Sequence, residues 1–352
     1  METKQTSGQN ANQKQQQQPQ LAVYHPLQFS EPLANDPNEL LEQHFLYRGE
    51  FLLLSGQTGI GKSSWDFQAA VLWALGREFC GIRPKWPLKS LIVQAENNDA
   101  RMYLMWNGII KGLRLSGPEI ERASESIWIH RQLRHTGRPF FSQCLKPLLD
   151  LHKPKGLDLL HMDPVLAYLG GDLRQQEQVA CFSRENLAPI LDDYEIGGLL
   201  IHHMPKPLAN GRGLKGMDRV YAGAGSIEFQ NTAKTTLNLA RTSSKELFIL
   251  EAGKGWEGLG WEEPERYLGH APDAIYWYET TKDMLEKPKR SDNRQAYVLK
   301  VVKDHPKGVT WSEWQAFSQS LYGVKASPFE RYRAELERTK AVHQADGKWF
   351  PS

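Results

Sequence analysis

The sequence predicts an α/β domain built on a mostly parallel sheet, followed by a small C-terminal domain. Between about residues 49 and 250, near-continuous apolar runs alternate with stretches of helical spacing. This pattern is typical of parallel strands that helices cover on both faces. A glycine-rich stretch lies between the first apolar run and the first helical stretch, where such sheets bind ligands. Residues 292–352 carry a different, basic pattern and form the second domain.

Composition excludes several classes of protein. Of the 352 residues, 40% are apolar and 24% charged, which is ordinary for a globular protein in water. No apolar run approaches the roughly 18 residues of a membrane span, and the first residues lack a signal-peptide pattern, so we expect no membrane partner. Cys80, Cys144 and Cys181 are too few and too far apart for a disulfide framework or a zinc site. A reducing cytoplasm is the expected location.

The chain divides into a tail and two domains. Residues 1–21 are rich in Gln and Asn and nearly free of apolar side chains, which predicts a disordered tail. Residues 22–286 contain the α/β domain, with a short helix expected at Asn38–His44. After the linker EKPKRSD comes the C-terminal domain, residues 292–352. Residues 287–352 hold 13 Lys and Arg against 7 Asp and Glu, which favours a polyanionic partner.

Strands and helices can be placed along the α/β domain. The helical spacing predicts helices at Ser63–Leu75 and Ala100–Leu113. Four apolar runs predict buried strands at residues 51–55, 90–95, 157–162 and 198–203.

The glycine-rich stretch Gly56–Ser63, GQTGIGKS, fits the phosphate-binding pattern G-x-x-x-x-G-K-[ST] between a strand and a helix. Its glycines permit the positive φ angles with which backbone N–H groups surround phosphate oxygens. Lys62 is expected to reach the β- and γ-phosphates, and the Ser63 hydroxyl to ligate Mg²⁺. The motif thus predicts ATP and Mg²⁺ as cofactors. The predicted nucleotide contacts are Gly56, Gln57, Thr58, Gly59, Ile60, Gly61, Lys62, Ser63 and Ser64.

Asp163 ends the apolar run LDLLHM, at the strand edge where open α/β sheets bind ligands. We expect its carboxylate to hold Mg²⁺ together with Ser63. His161 shares a strand face with Asp163, and a transition-metal pair is conceivable. Two ligands are too few for such a site, so the magnesium role is preferred.

Two further strands end in candidate catalytic residues. Glu96 follows the run SLIVQA, where a carboxylate can orient and deprotonate an attacking water; a helix-capping acid is the alternative. His202 and His203 end the run GLLI. Adjacent strand residues face opposite ways, so only one imidazole can point at a nucleotide. His203 is the better candidate for a γ-phosphate sensor, with a structural histidine as the alternative.

The order GQTGIGKSS, LIVQAENN, LLHMDPVLAYLGGD and GLLIHHMPKP resembles the RepA-like hexameric helicases of the RecA fold, over roughly residues 45–250. The resemblance implies a RecA-like P-loop ATPase core with Glu96 as the catalytic glutamate, Asp163 as the Walker B aspartate and His203 as the sensor. It also implies a homo-oligomeric ring, usually a hexamer, that acts on single-stranded DNA. A replication initiator or primase is a further implied partner.

In such rings an arginine of the neighbouring subunit reaches the γ-phosphate. The stretch AGSIEFQNTAKTTLNLAR places Lys234 where the family has that arginine. A lysine supplies the charge without the planar fork of a guanidinium. Arg241 is the second candidate.

The stretch MPKPLANGRGLKGMDRVYAGA, after His203, combines glycines, prolines and four cations. In RecA-like rings the equivalent loop faces the central channel, and mobile cations suit contacts with a phosphate backbone. A plain surface loop is the alternative. The predicted DNA contacts are Lys206, Arg212, Lys215 and Arg219.

The C-terminal domain has the pattern of a winged helix. A first helix is expected over residues 292–305, a second from the capping box of Thr310 to about Ser320, and a third over Phe329–Lys340, capped by Ser327. A hairpin with the turn Asp346-Gly347 follows. Such a domain binds DNA or docks a protein, and both roles stay open.

Three functions compete. The leading one is an ATP-driven DNA helicase or translocase of a plasmid, phage or mobile-element replication system. The second is a RecA-like ATPase that acts as a loader or switch without unwinding. The third is a winged-helix regulator with a weak ATPase. Lys62, Ser63, Glu96 and Asp163 argue against a degenerate ATPase, whereas Lys234 in place of arginine argues for one.

Overall fold

The computed structural model describes residues 23–29, 33, 35–172, 175–204, 227–242, 247–254, 261, 263–271, 275–281 and 293–352. The chain forms two units, Met1–Pro37 and Asn38–Ser352. The first contains a short 3-10 helix, Pro26–Gln28, whose flanking side chains are exposed to solvent. The second contains every other element described below. No helix among the described residues is long and apolar enough to cross a membrane.

The described strands of the second unit form a large sheet and two hairpins. The first hairpin comprises β1 (Glu39–Leu41) and β2 (Leu46–Tyr47). The large sheet contains β3 (Phe51–Gln57), β4 (Ser90–Gln94), β5 (Ile127–Arg131), β6 (Leu159–Asp163), β7 (Gly197–Met204), β8 (Thr235–Arg241), β9 (Leu247–Ala252), β10 (Glu265–His270) and β11 (Trp277–Thr280). Their order across the sheet is β11-β10-β9-β8-β3-β7-β6-β4-β5.

The central part of this sheet is parallel, which confirms the predicted fold class. Strands β8, β3, β7, β6, β4 and β5 run in one direction. Their carboxyl ends therefore lie along one side, which we call the carboxyl edge. All seven residues of β3 except Gln57 are buried, as expected for a strand covered on both faces.

Helices follow the parallel strands and cover both faces of the sheet. The described helices of the α/β part are α1 (Lys62–Ala74), α2 (Asp99–Leu113), α3 (Gly117–Glu125), α4 (Gly137–Phe140), α5 (Lys146–His152), α6 (Leu166–Leu169), α7 (Gln176–Ala180), α8 (Ala188–Asp193) and α9 (Ile227–Thr232). A π-helical segment, Phe141–Leu145, joins α4 to α5, and another, Cys181–Leu187, joins α7 to α8. α1 and α2 begin within one residue of their predicted starts, because glycine and Asn98 cap them.

The predicted helix at Asn38–His44 is wrong, because residues 39–41 form strand β1. Leu40 and Leu41 are fully buried, in the same apolar cluster as Leu52 and Leu54 of β3. Glu39 accepts a hydrogen bond of 2.7 Å from Lys85 Nζ. Burial of two consecutive leucines suits a strand between two layers better than one turn of helix.

Strands β9, β10 and β11 extend the sheet in antiparallel fashion beyond β8, which the sequence did not predict. The chain entering β11 crosses two helices of the parallel part. A Cβ at Gly108 would lie 2.8 Å from the backbone nitrogen of Ile275, and one at Gly112 would overlap the ring of Tyr276. We call residues 275–278 the strap, since they cross α2 and reach α1.

The C-terminal residues form three helices and a hairpin with an apolar core of their own. The elements are α10 (Asn293–Lys303), α11 (Trp311–Tyr322), α12 (Ala326–Arg338), β12 (Val342–Ala345) and β13 (Lys348–Pro351). Thr310 and Glu313 form the predicted capping box of α11. The third helix begins before the predicted cap Ser327, at an N-cap of Lys325. Asp346 and Gly347 both have positive φ, 48° and 73°, as a two-residue hairpin turn requires.

Candidate nucleotide-binding and hydrolysis site

The phosphate-binding loop connects β3 to α1 at the carboxyl edge. Gly59 and Gly61 have φ angles of 74° and 103°, which non-glycine residues rarely adopt. Gly56 is needed for space, because a Cβ there would collide with the carbonyl oxygen of Leu239 in β8. Gly61 is the N-cap of α1 and has no capping side chain. The first N–H groups of α1 are therefore left to bind an anion.

Lys62 lies inside this loop and is only 2% exposed. Its Nζ donates hydrogen bonds of 2.6 Å and 2.9 Å to the carbonyl oxygens of Gly56 and Gln57. Burial lowers the pKa of Lys62 to about 8, although attraction by Asp163 and Glu96 opposes this shift. An anion in the loop would stabilise the charged ammonium, so the loop suits a phosphate.

Asp163, the last residue of β6, is 3% exposed and accepts a hydrogen bond from the Ser63 side chain. Its Oδ1 is buried without a hydrogen-bond partner. Burial, with the nearby charge of Asp66, raises the pKa of Asp163 to about 7. A buried oxygen without a partner beside a serine hydroxyl fits a divalent cation such as Mg²⁺. Among the described residues no group of three or more His, Cys, Asp or Glu surrounds a metal position. The cation would thus depend on nucleotide phosphates and water for its other ligands.

The raised pKa of Asp163 predicts how replacing this residue changes the stability of the protein. Without nucleotide and with a chelator present, Asp163→Asn should stabilise the protein against thermal unfolding. The folded state holds the proton up to about pH 7, whereas the unfolded chain loses it near 3.8. Wild-type stability therefore falls between these pH values, and the gain from asparagine grows over the same window to about 4 kcal/mol at most.

Thermal melts at pH 5 and pH 8 check this prediction. The stabilisation by Asp163→Asn should be larger at pH 8. Asp158→Asn is the contrasting variant, because Asp158 forms an ion pair with Arg48 and its loss should destabilise the protein. An equal or lower melting temperature of Asp163→Asn at pH 8 would contradict the assignment.

His161 does not form a metal pair with Asp163. Its Nδ1 is 2.6 Å from Asp66 Oδ1 of α1, and its Nε2 is 3.1 Å from Ser90 Oγ of β4. Both ring nitrogens are therefore occupied, and the ring is fully buried. His161 instead joins three elements of the site: α1, β4 and β6.

Glu96 and His203 meet at the carboxyl edge. His203 Nε2 lies 3.2 Å from the Glu96 carboxylate, which is half exposed. Gln94 holds the turn before α2, with 2.8 Å hydrogen bonds to the backbone of Asn97. Burial and the charge of Lys62 lower the pKa of His203 despite the Glu96 carboxylate. A neutral imidazole can then donate its Nε2 proton to Glu96 and orient that carboxylate.

His202, the neighbouring residue in β7, points the other way. Its ring is fully buried and packs 5.8 Å from the ring of Phe229. Neither ring nitrogen has a hydrogen-bond partner among the described residues, and burial lowers its pKa to about 4. His202 is thus a neutral packing residue, and the alternation along β7 leaves His203 at the edge.

The sequence did not indicate the contact of Trp277 with the phosphate-binding loop. Trp277 Nε1 donates a 2.9 Å hydrogen bond to Ser64 Oγ, and its ring lies 2.6 Å from where a Cβ of Gly61 would stand. The backbone of Trp277 also pairs with the side chain of Gln68. Because Ser64 Oγ is occupied by Trp277 and the Gly61 carbonyl, it is the Ser64 backbone N–H that can serve a nucleotide.

Lys234 and Arg241 lie at opposite ends of β8. Lys234 precedes the strand and pairs loosely with Glu50, at 3.7 Å, on the side opposite the carboxyl edge. Arg241 ends the strand near the loop and stacks on Phe248, 5.5 Å from its ring centre. Lys234 therefore lies away from the phosphate-binding loop of its own chain, whereas Arg241 lies near it.

The predicted DNA contacts Lys206, Arg212, Lys215 and Arg219 lie outside the described residues, and their roles stay a prediction. The β7 strand that precedes them ends at Met204, at the same carboxyl edge as Asp163.

Comparison with known proteins identifies a family. The AAA domain family AAA_25 matches residues 27–209, which is slightly more than half of the chain. This range contains the phosphate-binding loop, Glu96, Asp163 and His203. No curated protein matches the chain. The chain therefore belongs to the AAA_25 family of AAA domains, and its α/β part is a P-loop ATPase domain of the RecA/AAA type.

Proposed function

We propose that this protein is an ATP-driven DNA helicase or translocase that works as a homo-oligomeric ring in the replication of a plasmid, phage or mobile element. Lys62 and the loop amides would bind the phosphates, and Ser63 and Asp163 would hold Mg²⁺, which neutralises charge on the phosphates. Glu96 would accept a proton from the attacking water. Single-stranded DNA would be the partner whose movement is coupled to hydrolysis.

The observation that carries this proposal is the contact between His203 and Glu96. The Nε2 proton of His203 can serve Glu96 or a phosphate oxygen at the same edge, but not both at once. A switch of this hydrogen bond would link the state of the nucleotide to the β7 strand and to the cationic segment that follows it. A motor needs such a link between the nucleotide and a segment that can contact DNA.

The position of Lys234 supports the proposed ring. Lys234 is half exposed on the side opposite its own loop. It can therefore approach the site of the next subunit in a head-to-tail arrangement, which forms a ring where the rotation between subunits closes. A hexamer is the expected size. A replication initiator or primase is the expected loading partner.

The C-terminal domain is proposed to be a winged helix that docks a protein partner. Cations on α12 are largely paired with glutamates of the same helix: Arg333 with Glu330 and Glu337, and Arg338 with Glu335. These pairs reduce the positive charge available for a DNA backbone. They also make the third function, a regulator that acts through DNA binding by this domain, less favoured.

Strand separation tests the proposal. With ATP and Mg²⁺, the wild-type protein should release the labelled strand of a forked DNA duplex, whereas Asp163→Asn should not. DNA-stimulated hydrolysis without strand release would favour the loader or switch instead. Hydrolysis that single-stranded DNA leaves unchanged would contradict both.

A further inference from the structure

A basic segment lies beside the nucleotide site but takes no part in it. Residues 127–149 contain no Asp or Glu, and they hold Arg131, Arg134, Arg138 and Lys146. This segment includes strand β5, which stands at the free edge of the large sheet. Its positive charge is therefore not balanced within the segment itself.

The three arginines of this segment are exposed and form no ion pair with any described residue. Several other arginines of the α/β part are paired, among them Arg48 with Asp158, Arg77 with Glu119, and Arg184 with Glu228. Unpaired guanidinium groups grouped on one surface are typical of a site for an anionic ligand.

A cavity of about 540 Å³ opens at this surface. Arg131, Arg134 and His135 line it together with apolar side chains, among them Leu133 and Leu148. Its size is that of a pocket for a nucleotide-sized ligand. We call it the β5 cavity.

The loop that carries the arginines is held in place. Gln132 is 6% exposed, and its Oε1 accepts hydrogen bonds of 2.7 Å and 3.3 Å from the backbone N–H groups of Arg134 and His135. The Gln132 backbone N–H donates a hydrogen bond of 3.0 Å to the carbonyl oxygen of Gln94. Since the Gln94 side chain fixes the turn that contains Glu96, the β5 cavity and the Glu96 carboxylate share one structural support.

Helix α4, which follows the loop of Arg131 and Arg134, lies against the segment after Asp163. Arg138 lines a second cavity of about 210 Å³ with Gly170 and Gly171, from the segment that follows Asp163. Gly137 and Gly170 are so close that a Cβ at Gly170 would lie 2.5 Å from the Gly137 nitrogen. The basic surface thus extends from the sheet edge toward the segment after Asp163.

We propose that the β5 cavity binds a nucleotide of single-stranded DNA, with its phosphates on Arg131 and Arg134 and its base against Leu133. This inference rests on the proposed function and adds a DNA contact separate from the cationic segment after β7. Sequence preference should be low, because guanidinium–phosphate and base–aliphatic contacts read no base edges.

The test compares three variants by fluorescence anisotropy with a labelled oligothymidylate, over a series of salt concentrations and without nucleotide. Arg131→Ala with Arg134→Ala should weaken binding about tenfold and make the slope of log affinity against log salt shallower by about 1.4. Leu133→Ala removes no charge, so it should weaken binding and leave the slope unchanged. The control pair Arg101→Ala with Arg122→Ala, on exposed sites of α2 and α3, should match the wild type.

Hydrolysis without DNA should be equal in all variants, since none of these residues touches the nucleotide site. Wild-type affinity and slope in the Arg131/Arg134 variant would overturn the inference while leaving the proposed function in place. Failure of the wild type to bind or respond to DNA would overturn the proposed function itself. A fall in the oligomeric mass of the Arg131/Arg134 variant, with DNA affinity per subunit unchanged, would assign the cavity to a second copy of the chain and also overturn the inference.

Discussion

Lys62→Ala is expected to reduce ATP hydrolysis severely and to weaken ATP binding. The ammonium lies between the carboxylates of Asp163 and Glu96 and the loop carbonyls, where it would offset the charge of the β- and γ-phosphates. Its removal leaves the buried Asp163 and the half-exposed Glu96 facing a polyanion. Loss of a charge in this position should slow phosphate release by about 10²-fold or more.

Phosphate release and binding of a fluorescent ATP analogue measure the two effects of Lys62→Ala. Lys111→Ala is the matched control, because Lys111 is an exposed lysine in the last turn of α2. Thermal melting shows whether each variant is folded. Hydrolysis by folded Lys62→Ala at a rate near that of the wild type would place the nucleotide elsewhere.

Glu96→Gln is expected to bind ATP normally and to turn it over very slowly. The carboxylate is half exposed and interacts with His203, so the amide can occupy the same space. It cannot accept a proton from water, and loss of general-base catalysis costs about 10²-fold or more. ATP affinity should change little, because Lys62 and the loop amides are untouched.

Steady-state hydrolysis and equilibrium binding separate these two properties of Glu96→Gln. Glu125→Gln, at an exposed position at the end of α3, is the matched control. His203→Gln should hydrolyse ATP at a rate between those of Glu96→Gln and Glu125→Gln, because it loses the hydrogen bond that orients Glu96 but keeps the Glu96 carboxylate. If Glu96→Gln loses affinity and turnover in equal measure, Glu96 serves binding and not the activation of water.

The sheet core could be predicted because its sequence signal is local. A run such as FLLLS is apolar on both faces, so it indicates a strand covered by two layers without knowledge of its neighbours. The glycines of the phosphate-binding loop could likewise be predicted from the motif alone. Gly59 and Gly61 need positive φ, and this need is visible in the sequence as G-x-G-K.

The strap could not be predicted, because its contacts join residues that are far apart in the chain. Trp277 lies 213 residues after Ser64, to which it donates a hydrogen bond. Strands β10 and β11 have few buried residues, with patterns that alternate poorly. In the sequence, Gly108 and Gly112 indicate only a weakened helix. The structure shows that a side chain at either position would collide with the strap.

The role of His161 at the site also could not be predicted, because its partners are far from it in the sequence. Its spacing from Asp163 placed both on one face of a strand, and from that alone a metal pair was conceivable. Asp66 of α1 and Ser90 of β4 exclude the metal pair, because they form hydrogen bonds with both ring nitrogens of His161. Neither partner stands in a motif, so the sequence holds no signal for this arrangement.

We expect the carboxyl edge of this sheet to bind Mg-ATP and to activate water for its hydrolysis. A single-turnover experiment tests it most directly: radiolabelled ATP is bound to excess protein, Mg²⁺ is added, and the conversion of bound ATP to phosphate is followed in time. Wild-type protein should convert the bound ATP, and Glu96→Gln should retain it intact for about 10² times longer. Conversion at equal rates in both proteins would contradict the claim.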